Sequence, residues 1–431
     1  MNKKTLKAPL PLSYKNSHLC FDGISIRTIA DKKKTPFYLY SESTLLNQYK
    51  HFVQEAKKAG LKDHQVCYAL KANPNKEILK MLGKIGLGAD IVSLGELMRA
   101  LESGIPADKI IFSGVGKTEL EIQMALKCSD IGVYAFNVES VEELELIHQV
   151  AKEMKKVARI SFRLNPQVHA KTHKNISTGN KTHKFGILES DIIKVVHEQK
   201  YWDYCKLVGL SIHIGSQLTE LKASDEALKK LFSLCIKINR PLEFIDVGGG
   251  LGIDYHEDQH NKIATIKEYM GLIGRHYKAL VAKKIPNLKK PKILFEPGRI
   301  LMARAGVLVT RVIRQKTSDQ HRFVIIDGGM NDLMRPSLYE AYHKILPETF
   351  SGKEKLYKFD VVGPICETSD CFGTDRPLPE VKSGDLIVVA DAGAYGYSMS
   401  SNYNLRGKPE EVLLQNGKCK TITREQNYQQ Y

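Results

Sequence analysis

A lysine stands at the end of a short apolar run, in the segment YALKANPN that begins at Tyr68. Burying the ammonium group of Lys71 is costly unless its charge is paired or the amine is neutral. A partly neutral lysine amine attacks aldehydes, so Lys71 is a candidate for a Schiff-base lysine. The alternative is that its aliphatic stem covers the strand end while the ammonium group reaches water. The sequence around Lys71 leaves both interpretations open.

A run of glycines follows another apolar run, in IDVGGGLG. Gly248 to Gly250 have no side chains, so their backbone N–H groups can approach a phosphate closely. The spacing is not GxGxxG with an acidic residue at the dinucleotide distance, which argues against a nicotinamide cofactor. A tight turn between a strand and a helix would use the same glycines, and the run alone does not decide between these interpretations.

Two more strand ends carry a carboxylate and an imidazole. Glu296, in FEPGR, could hold the nitrogen of a bound pyridine ring protonated. In a purely structural role, Glu296 and Arg299 would instead form a local ion pair that closes a turn. His213 lies in SIHIGSQ, with Ser216 nearby. Such a histidine is either catalytic or a hydrogen-bonded core residue, and the segment fits both roles.

The segment PICETSDCFG places Cys366 beside Glu367 and Asp370, in what we predict to be a turn after a strand. Neighbouring carboxylates disfavour a thiolate, so a proton donor is a better interpretation of Cys366 than a protease nucleophile. Further along, GAYGYSMSSNYN, which contains Tyr395, is a glycine-, serine- and tyrosine-rich loop. Loops of this composition commonly line small-molecule pockets.

Several other functions are disfavoured by composition. The 64 Lys and Arg exceed the 48 Asp and Glu, a formal charge of +16, but the basic residues are dispersed and indicate a solvated surface rather than a nucleic-acid site. The histidines of a mobile loop expected at Val168 to Gly186 lack carboxylates or cysteines at ligand spacing, so we expect no metal. Eight cysteines without a CxxC pair indicate reduced thiols. With no signal peptide or membrane span in the sequence, we expect a soluble cytoplasmic protein.

The elements that position these residues alternate between strand and helix. Between two strand-like runs, SVEELELIHQVAKEMKK has apolar residues on one helical face, among them Leu144 and Ile147. Such units predict a (β/α)8 barrel, with an open doubly wound sheet as the alternative. A barrel is favoured because it brings the strand ends that carry Lys71, His213 and Glu296 to one site. The eight runs are VCYALKA, ADIVS, IIFSG, VYAFNVES, ARISFRLNP, LVGLSIHIGS, LEFIDVGGG and KILFEPG.

After about residue 303 the pattern changes to strands separated by turns, which predicts an all-β domain. The N-terminal segments LCFDGISIRTIA and PFYLY are also strand-like, so we expect them to join that domain. The predicted fold class is therefore α/β, a TIM-like barrel plus a C-terminal all-β domain. The predicted domains are a barrel at 43–302 and a β-sandwich or β-barrel at 1–42 and 303–431.

Together these motifs resemble the alanine racemase-like, fold-type III pyridoxal-phosphate enzymes, and specifically the diaminopimelate decarboxylases. Any one motif could occur by chance, but the ordered set is specific. Between Tyr68 and Asn404 the matching segments are YALKANPN, GADIVSLGEL, ISTGNKTHKFGI, IHIGSQ, DVGGGLGI, EPGR, DGGMNDLMRPSLYEAYH, GPICETSD and DAGAYGYSMSSNYN.

The resemblance implies a role for each site residue. Lys71 would bind pyridoxal 5'-phosphate covalently, Glu296 would face the pyridine nitrogen and His213 would stack on the ring. Cys366 would protonate the intermediate. The remaining cofactor contacts would come from Ser216, Gly249, Gly250, Gly298, Arg299 and Tyr395. Substrate contacts would come from Arg299, Arg335, Tyr339, Glu367 and Tyr395.

The resemblance also implies the reaction, decarboxylation of meso-2,6-diaminopimelate to L-lysine and CO2 in the last step of lysine biosynthesis. Two arginines suit a substrate with a carboxylate at its far end, which argues against a cationic substrate such as ornithine. Alternatives are a decarboxylase of carboxynorspermidine or a D-amino acid, and a non-catalytic pyridoxal-phosphate-binding protein. The implied assembly is a homodimer in which Cys366 and Glu367 reach the partner's site.

Overall fold

The computed structural model describes residues 6–169, 184–257, 263–319 and 321–426. Most of the loop expected at 168–186, with the first eight residues of the motif ISTGNKTHKFGI, lies outside these ranges. The chain divides into two compact units. The barrel unit comprises residues 51–253 and 262–299, and the sheet unit comprises residues 1–50, 254–261 and 300–431. The exact domain boundaries expected from the sequence stay a prediction.

Eight parallel strands form a closed barrel in the barrel unit, which confirms the predicted fold class. Each strand contains residues of one of the eight predicted runs. In chain order the strands are β5 (His64–Ala69), β6 (Gly88–Ile91), β7 (Ile110–Phe112), β8 (Ala135–Val138), β9 (Ala158–Arg163), β10 (Cys205–Ser211), β11 (Phe244–Asp246) and β12 (Lys292–Phe295). The barrel closes because β12 pairs with β5.

Apolar side chains fill the barrel. Ile111, Val208, Phe244 and Leu294 form a buried cluster together with small residues of neighbouring strands. Gly209 leaves room for the Phe244 ring, which a Cβ at that position would meet. Strands buried on both faces are apolar along their whole length, and this is why the sequence shows continuous runs instead of alternation.

Helices follow most of the barrel strands, and several of them begin at side-chain caps. The hydroxyl of Ser140 accepts the Glu143 N–H at the start of one helix, and Thr118 forms a capping box with Glu121 at another. The predicted face with Leu144 and Ile147 is buried. The helices are α2 (Glu42–Lys58), α3 (Lys76–Lys84), α4 (Leu94–Glu102), α5 (Glu119–Lys127), α6 (Val141–Glu153), α7 (Glu189–His197), α8 (Lys222–Ile238), α9 (Ile266–Ala282) and the short α10 (Arg299–Met302).

The sheet unit contains a small sheet and a large one. The small sheet is β1 (Leu12–Lys15), β2 (His18–Phe21) and β3 (Ile24–Ser25). In the large sheet, β4 (Phe37–Ser41) lies between β13 (Gly306–Ser318) and β19 (Glu410–Gln415), so the expectation that PFYLY joins the β domain is confirmed. The other strands are β14 (His321–Ile326), β15 (Ile345–Pro347), β16 (Tyr357–Val362), β17 (Cys371–Leu378), β18 (Leu386–Val389) and β20 (Lys418–Thr423).

Local errors in the sequence prediction concern this unit. The strand expected through ISIRTIA ends at Ser25, and α1 (Ile26–Ala30) follows, burying Ile26 and Ile29. The strand β17 and the short helix α11 (Arg335–Tyr339) were not predicted. In β17 most side chains are half-buried or exposed, so the segment has little apolar signal. Within the described ranges, no helix has the length and apolar character needed to cross a membrane.

Candidate active site

The carboxyl ends of the barrel strands bring five chemically capable side chains together. Lys71 follows β5, His213 follows β10 and Glu296 follows β12, while Asp90 and Asp246 lie within the last two residues of β6 and β11. Parallel strands of a barrel end at the same mouth, which is where barrel enzymes have their active sites. The structure thus places Lys71, His213 and Glu296 as predicted and adds two carboxylates.

The Lys71 ammonium group pairs with a buried carboxylate. Its Nζ atom lies 3.3 Å from Asp90 Oδ2, and 39% of the lysine side chain is exposed. The same positive charge lowers the pKa of His213 and opposes the rise in the pKa of Glu296. The lysine is therefore paired, reachable from solvent and within electrostatic range of both other groups.

Glu296 belongs to a buried acidic cluster with Asp246 and Asp90. Burial, followed by the charges of Asp246 and Asp90, raises the pKa of Glu296 well above its ordinary value. Burial likewise raises the pKa of Asp246 to about 6. The Asn137 amide donates toward Glu296 Oε1 at 3.3 Å, Asp246 Oδ2 at 3.5 Å and Ser113 Oγ at 3.1 Å. Glu296 and Asp246 therefore bind protons more readily than ordinary carboxylates, and the cluster favours a positively charged group beside it.

His213 is a neutral imidazole in this environment. Burial, together with the positive charges of Lys71 and Arg163, lowers its pKa well below the ordinary value. The Gly249 N–H donates to its Nδ1 at 3.3 Å, and Glu296 Oε2 lies 3.9 Å from the same nitrogen. A neutral ring with a fixed edge suits packing against a flat ligand.

Buried ion pairs lie directly behind these residues. Arg163 donates to Glu139 Oε1 at 2.6 Å and to the His213 carbonyl at 3.2 Å. The other Glu139 oxygen accepts the Gly186 N–H at 2.9 Å. Next to this pair, Lys117 donates to Glu143 at 2.7 Å. These contacts fix the backbone at His213 and at Gly186.

The glycine turn packs backbone against backbone. A Cβ at Gly249 would collide with the Glu296 carbonyl oxygen, and one at Gly250, where φ is +96°, would collide with the Gly215 carbonyl. Only glycine fits both places. On the neighbouring strand end, Arg299 Nη2 donates to Ser216 Oγ at 2.9 Å. A guanidinium, a hydroxyl and a bare backbone turn are groups that bind phosphate.

The remaining predicted site residues lie in the sheet unit. Cys366 and Glu367 are part of an exposed turn, residues 366–369, that connects β16 with β17. Glu367 accepts hydrogen bonds from Tyr403 Oη and, at 3.1 Å, from Ser369 Oγ. The buried Asp370 carboxylate anchors the turn by accepting two backbone N–H groups.

Arg335 and Tyr339 begin and end α11, and Arg335 is only 4% exposed. Its guanidinium contacts His343 at 2.6 Å and lies 4.6 Å from the centroid of the Tyr255 ring. Tyr395 is half-buried and adopts a φ of +57°. A tyrosine in the left-handed region is unusual, and such backbone strain is common at functional sites.

Comparison with protein families identifies the class of enzyme to which this arrangement belongs. Residues 45–303, more than half of the chain, match the model described as "Pyridoxal-dependent decarboxylase, pyridoxal binding domain". The chain belongs to the pyridoxal-dependent decarboxylase family. The matched region contains the barrel strands and the strand-end residues Lys71, His213 and Glu296. The cofactor class and the enzyme class expected from the motifs are thereby confirmed.

Full-length relatives support the same family. The chain is 40% identical to diaminopimelate decarboxylase of Zymomonas mobilis, over 97% of this chain and 96% of the relative. Among solved structures, diaminopimelate decarboxylase from m. jannaschii in co-complex with L-lysine has a TM-score of 0.89 at 37% identity, covering 97% of this chain and 95% of the other. The Helicobacter pylori enzyme complexed with L-lysine has a TM-score of 0.85 at 39% identity, covering 93% and 96%. The stated resemblance is confirmed.

The barrel residues fit pyridoxal phosphate. Among the described residues, Asp90 Oδ1 and Asn137 Oδ1 are buried side-chain oxygens without a hydrogen-bond partner, so polar groups remain for a ligand at the mouth. The raised pKa of Glu296 favours a carboxyl group that carries a proton, and this proton can be shared with a ring nitrogen. Lys71 supplies the amine that a cofactor aldehyde requires.

The sequence analysis did not single out Asp90, Asn137, Asp246, Arg163 or Glu139. Each is a polar residue within or just after an otherwise apolar barrel strand. Such a polar residue in an apolar run could have indicated the site. A polar side chain in the middle of a barrel strand would be buried at a cost, so it is expected at the mouth of the barrel, where the active site lies.

Proposed function

We propose that this chain converts meso-2,6-diaminopimelate to L-lysine and CO2, with pyridoxal 5'-phosphate as cofactor, as the last step of lysine biosynthesis. The observation that carries the proposal is the 40% identity with a diaminopimelate decarboxylase over 97% of the chain. Such coverage includes the CETSD turn and the tyrosine loop as well as the barrel. The solved relatives that hold L-lysine, the expected product, agree with this choice.

The barrel residues divide the chemistry among them. Lys71 would hold the cofactor covalently through its amine, and Glu296 would contact the ring nitrogen and share a proton with it. His213 would pack against the ring as a neutral imidazole. Pyridoxal phosphate, when bound, supplies an electron sink for the electron pair that remains when the carboxylate leaves.

The phosphate and the distal end of the substrate are assigned to two sets of groups that share Arg299 and Tyr395. We assign the phosphate to Ser216, the turn at Gly249 and Gly250, the backbone at Gly298 and the Tyr395 hydroxyl. Arg299 supports this site through its bond to Ser216 Oγ. We assign the distal carboxylate and amine of the substrate to Arg299, Arg335, Tyr339, Glu367 and Tyr395, since guanidinium groups bind carboxylates with two parallel hydrogen bonds.

The functional form we propose is a cytoplasmic homodimer. The turn at 366–369 is exposed in the single chain, which suits a segment that reaches the site of a partner subunit. Glu367 would then contact the distal amine of the partner's substrate, and Cys366 would deliver the proton that replaces the lost carboxylate. The division into a cofactor-binding barrel at 43–302 and a β domain from 1–42 and 303–431 is part of the same proposal.

The test is CO2 release by the purified, cofactor-loaded protein. We expect turnover of meso-diaminopimelate and none of ornithine, carboxynorspermidine or D-amino acids. Lys71→Ala should lose both turnover and the absorbance of the covalently bound cofactor, while Lys80→Ala, a surface lysine paired with Glu77, should keep both. Turnover of a rival substrate without turnover of diaminopimelate would reject the substrate assignment. Near-normal rates for Lys71→Ala would reject the mechanism.

A further inference from the structure

A buried histidine connects Arg335 to the core of the sheet unit. His343 follows α11 and has no exposed surface. Its Nε2 atom lies 2.6 Å from Arg335 Nη1, and its Nδ1 atom lies 2.8 Å from the carbonyl oxygen of Ala390. The ring therefore bridges a charged side chain and the backbone after β18.

The chemistry of the two partners determines the state of the ring. A guanidinium has only donors, so Nε2 must accept, and a carbonyl oxygen has only lone pairs, so Nδ1 must donate. His343 is therefore the neutral tautomer with its proton on Nδ1. Both ring nitrogens are used, and the ring cannot rotate without breaking a buried hydrogen bond.

The Arg335 guanidinium is held on a second side by an aromatic face. Its central carbon lies 4.6 Å from the centroid of the buried Tyr255 ring, within cation–π distance. The Tyr255 and His343 rings meet edge to face at 5.2 Å. The Tyr255 ring thus contacts both Arg335 and the histidine that holds it. Together the two rings restrict the arginine side chain, which would otherwise have many rotamers.

We propose that His343 is a positioning residue that presents Arg335 to the distal carboxylate of the substrate. The inference rests on the proposed function, which assigns that carboxylate to Arg335. A neutral acceptor orients the guanidinium and leaves its positive charge unchanged, whereas a carboxylate in the same place would neutralise it and compete with the substrate. An imidazole is thus a suitable group for holding a carboxylate-binding arginine.

The test compares two ligands of the cofactor-loaded enzyme that differ by one group. L-lysine has the distal carboxylate, and cadaverine is the same diamine without it. In His343→Asn the amide can still donate to Ala390, but it does not reach the Nε2 position, so the acceptor for Arg335 is lost. We expect L-lysine to bind about tenfold more weakly, the order of one hydrogen bond to a charged group, and cadaverine to bind as before.

A second variant restores the lost contact. His343→Gln places an amide oxygen near the Nε2 position, so the ratio of L-lysine to cadaverine affinity should stay within about threefold of the wild-type ratio. This variant also decides the question if His343→Asn does not fold, because a tenfold fall of its ratio would overturn the proposal. As a matched control, His148→Asn removes a half-buried histidine of the barrel unit that pairs with Asp203, and it should leave the ratio unchanged.

Arg335→Gln separates this inference from the proposed function. If Arg335→Gln leaves L-lysine affinity unchanged, the assignment of the carboxylate to Arg335 is wrong, whatever His343 does. If Arg335→Gln weakens L-lysine while His343→Asn does not, the substrate assignment stands and the positioning role is wrong. Equal weakening of both ligands in His343→Asn also overturns the positioning role, because a general loss of structure would act on both.

Discussion

Replacing Asp246 by asparagine should make the cofactor-free protein more stable at alkaline pH, although it changes a residue at the centre of the candidate site. Asp246 Oδ1 accepts the Gly248 N–H at 2.8 Å, and an asparagine oxygen can keep that bond. The new amide group can donate to Glu296, with which Asp246 shares a hydrogen bond. What the substitution removes is a carboxylate that must ionise inside the barrel.

The magnitude follows from the pKa. Burial raises the pKa of Asp246 from 3.8 to about 6. The folded chain holds this proton more tightly than the unfolded chain. The contribution of Asp246 to the free energy of unfolding is therefore fully present below pH 3.8 and is lost as the pH rises through about 6. A rise of this size corresponds to about 3 kcal/mol. Losing the 3.5 Å contact from Asn137 subtracts about 1 kcal/mol, so the expected gain above neutral pH is about 2 kcal/mol.

The assay is urea unfolding of the cofactor-free wild type and variant, monitored by Trp202, the single tryptophan of the chain, which lies in the barrel unit. Asp246→Asn should be more stable near pH 8 and slightly less stable near pH 4, so the two stability curves cross. Asp203→Asn is the control for which we expect the opposite change. The hydrogen bond from His148 lowers the pKa of Asp203, so removing this carboxylate should lower, not raise, the free energy of unfolding near pH 8 relative to pH 4. A stability difference that does not vary with pH would refute the reasoning, because ionisation could not then be its source.

Three further outcomes are expected. Glu367→Ala should raise the KM for diaminopimelate about tenfold with cofactor absorbance unchanged, and unaltered kinetics would show that this residue does not contact substrate. Arg163→Met removes the ion-pair partner of buried Glu139 and should lower the free energy of unfolding by about 3 kcal/mol in urea titrations, whereas a loss below about 1 would contradict the buried-pair argument. An alkylating reagent should modify exposed Cys366 before Cys235, whose pKa is raised by burial; peptide mass spectrometry would show the order.

The sequence predicted the barrel because its strands are buried on both faces. Residues such as Ile111, Phe136 and Leu294 are fully buried, so their strands have the short, continuous apolar runs that strands covered on both faces show. The same pattern located Lys71 and Glu296, since a charged residue that ends such a run must lie where the strand meets the mouth. Here local sequence and tertiary position are directly connected.

The contacts within the site depend on distances that sequence patterns do not carry. Asn137 and Glu296 are 159 positions apart, and their 3.3 Å contact depends on the closure of the barrel. His343 ends the motif DGGMNDLMRPSLYEAYH, but the motif does not reveal that its neighbours Arg335 and Ala390 make it a buried acceptor and donor. The helix at Ile26 was misread because its apolar residues suit a strand equally well over so short a length.

The acidic cluster links stability and function through the same burial. Ionising Glu296 and Asp246 inside the barrel is costly, so the cluster weakens the fold when the pH is high, and the raised pKa of both groups expresses that cost. The same neighbouring negative charges that raise this pKa also stabilise a positive charge placed beside them, so they favour the protonated, cationic form of a ring nitrogen that contacts Glu296. Asp246 and Asp90 contribute to this effect without needing to touch the cofactor. The arrangement that destabilises the cofactor-free barrel is therefore the one that favours a bound, protonated ring.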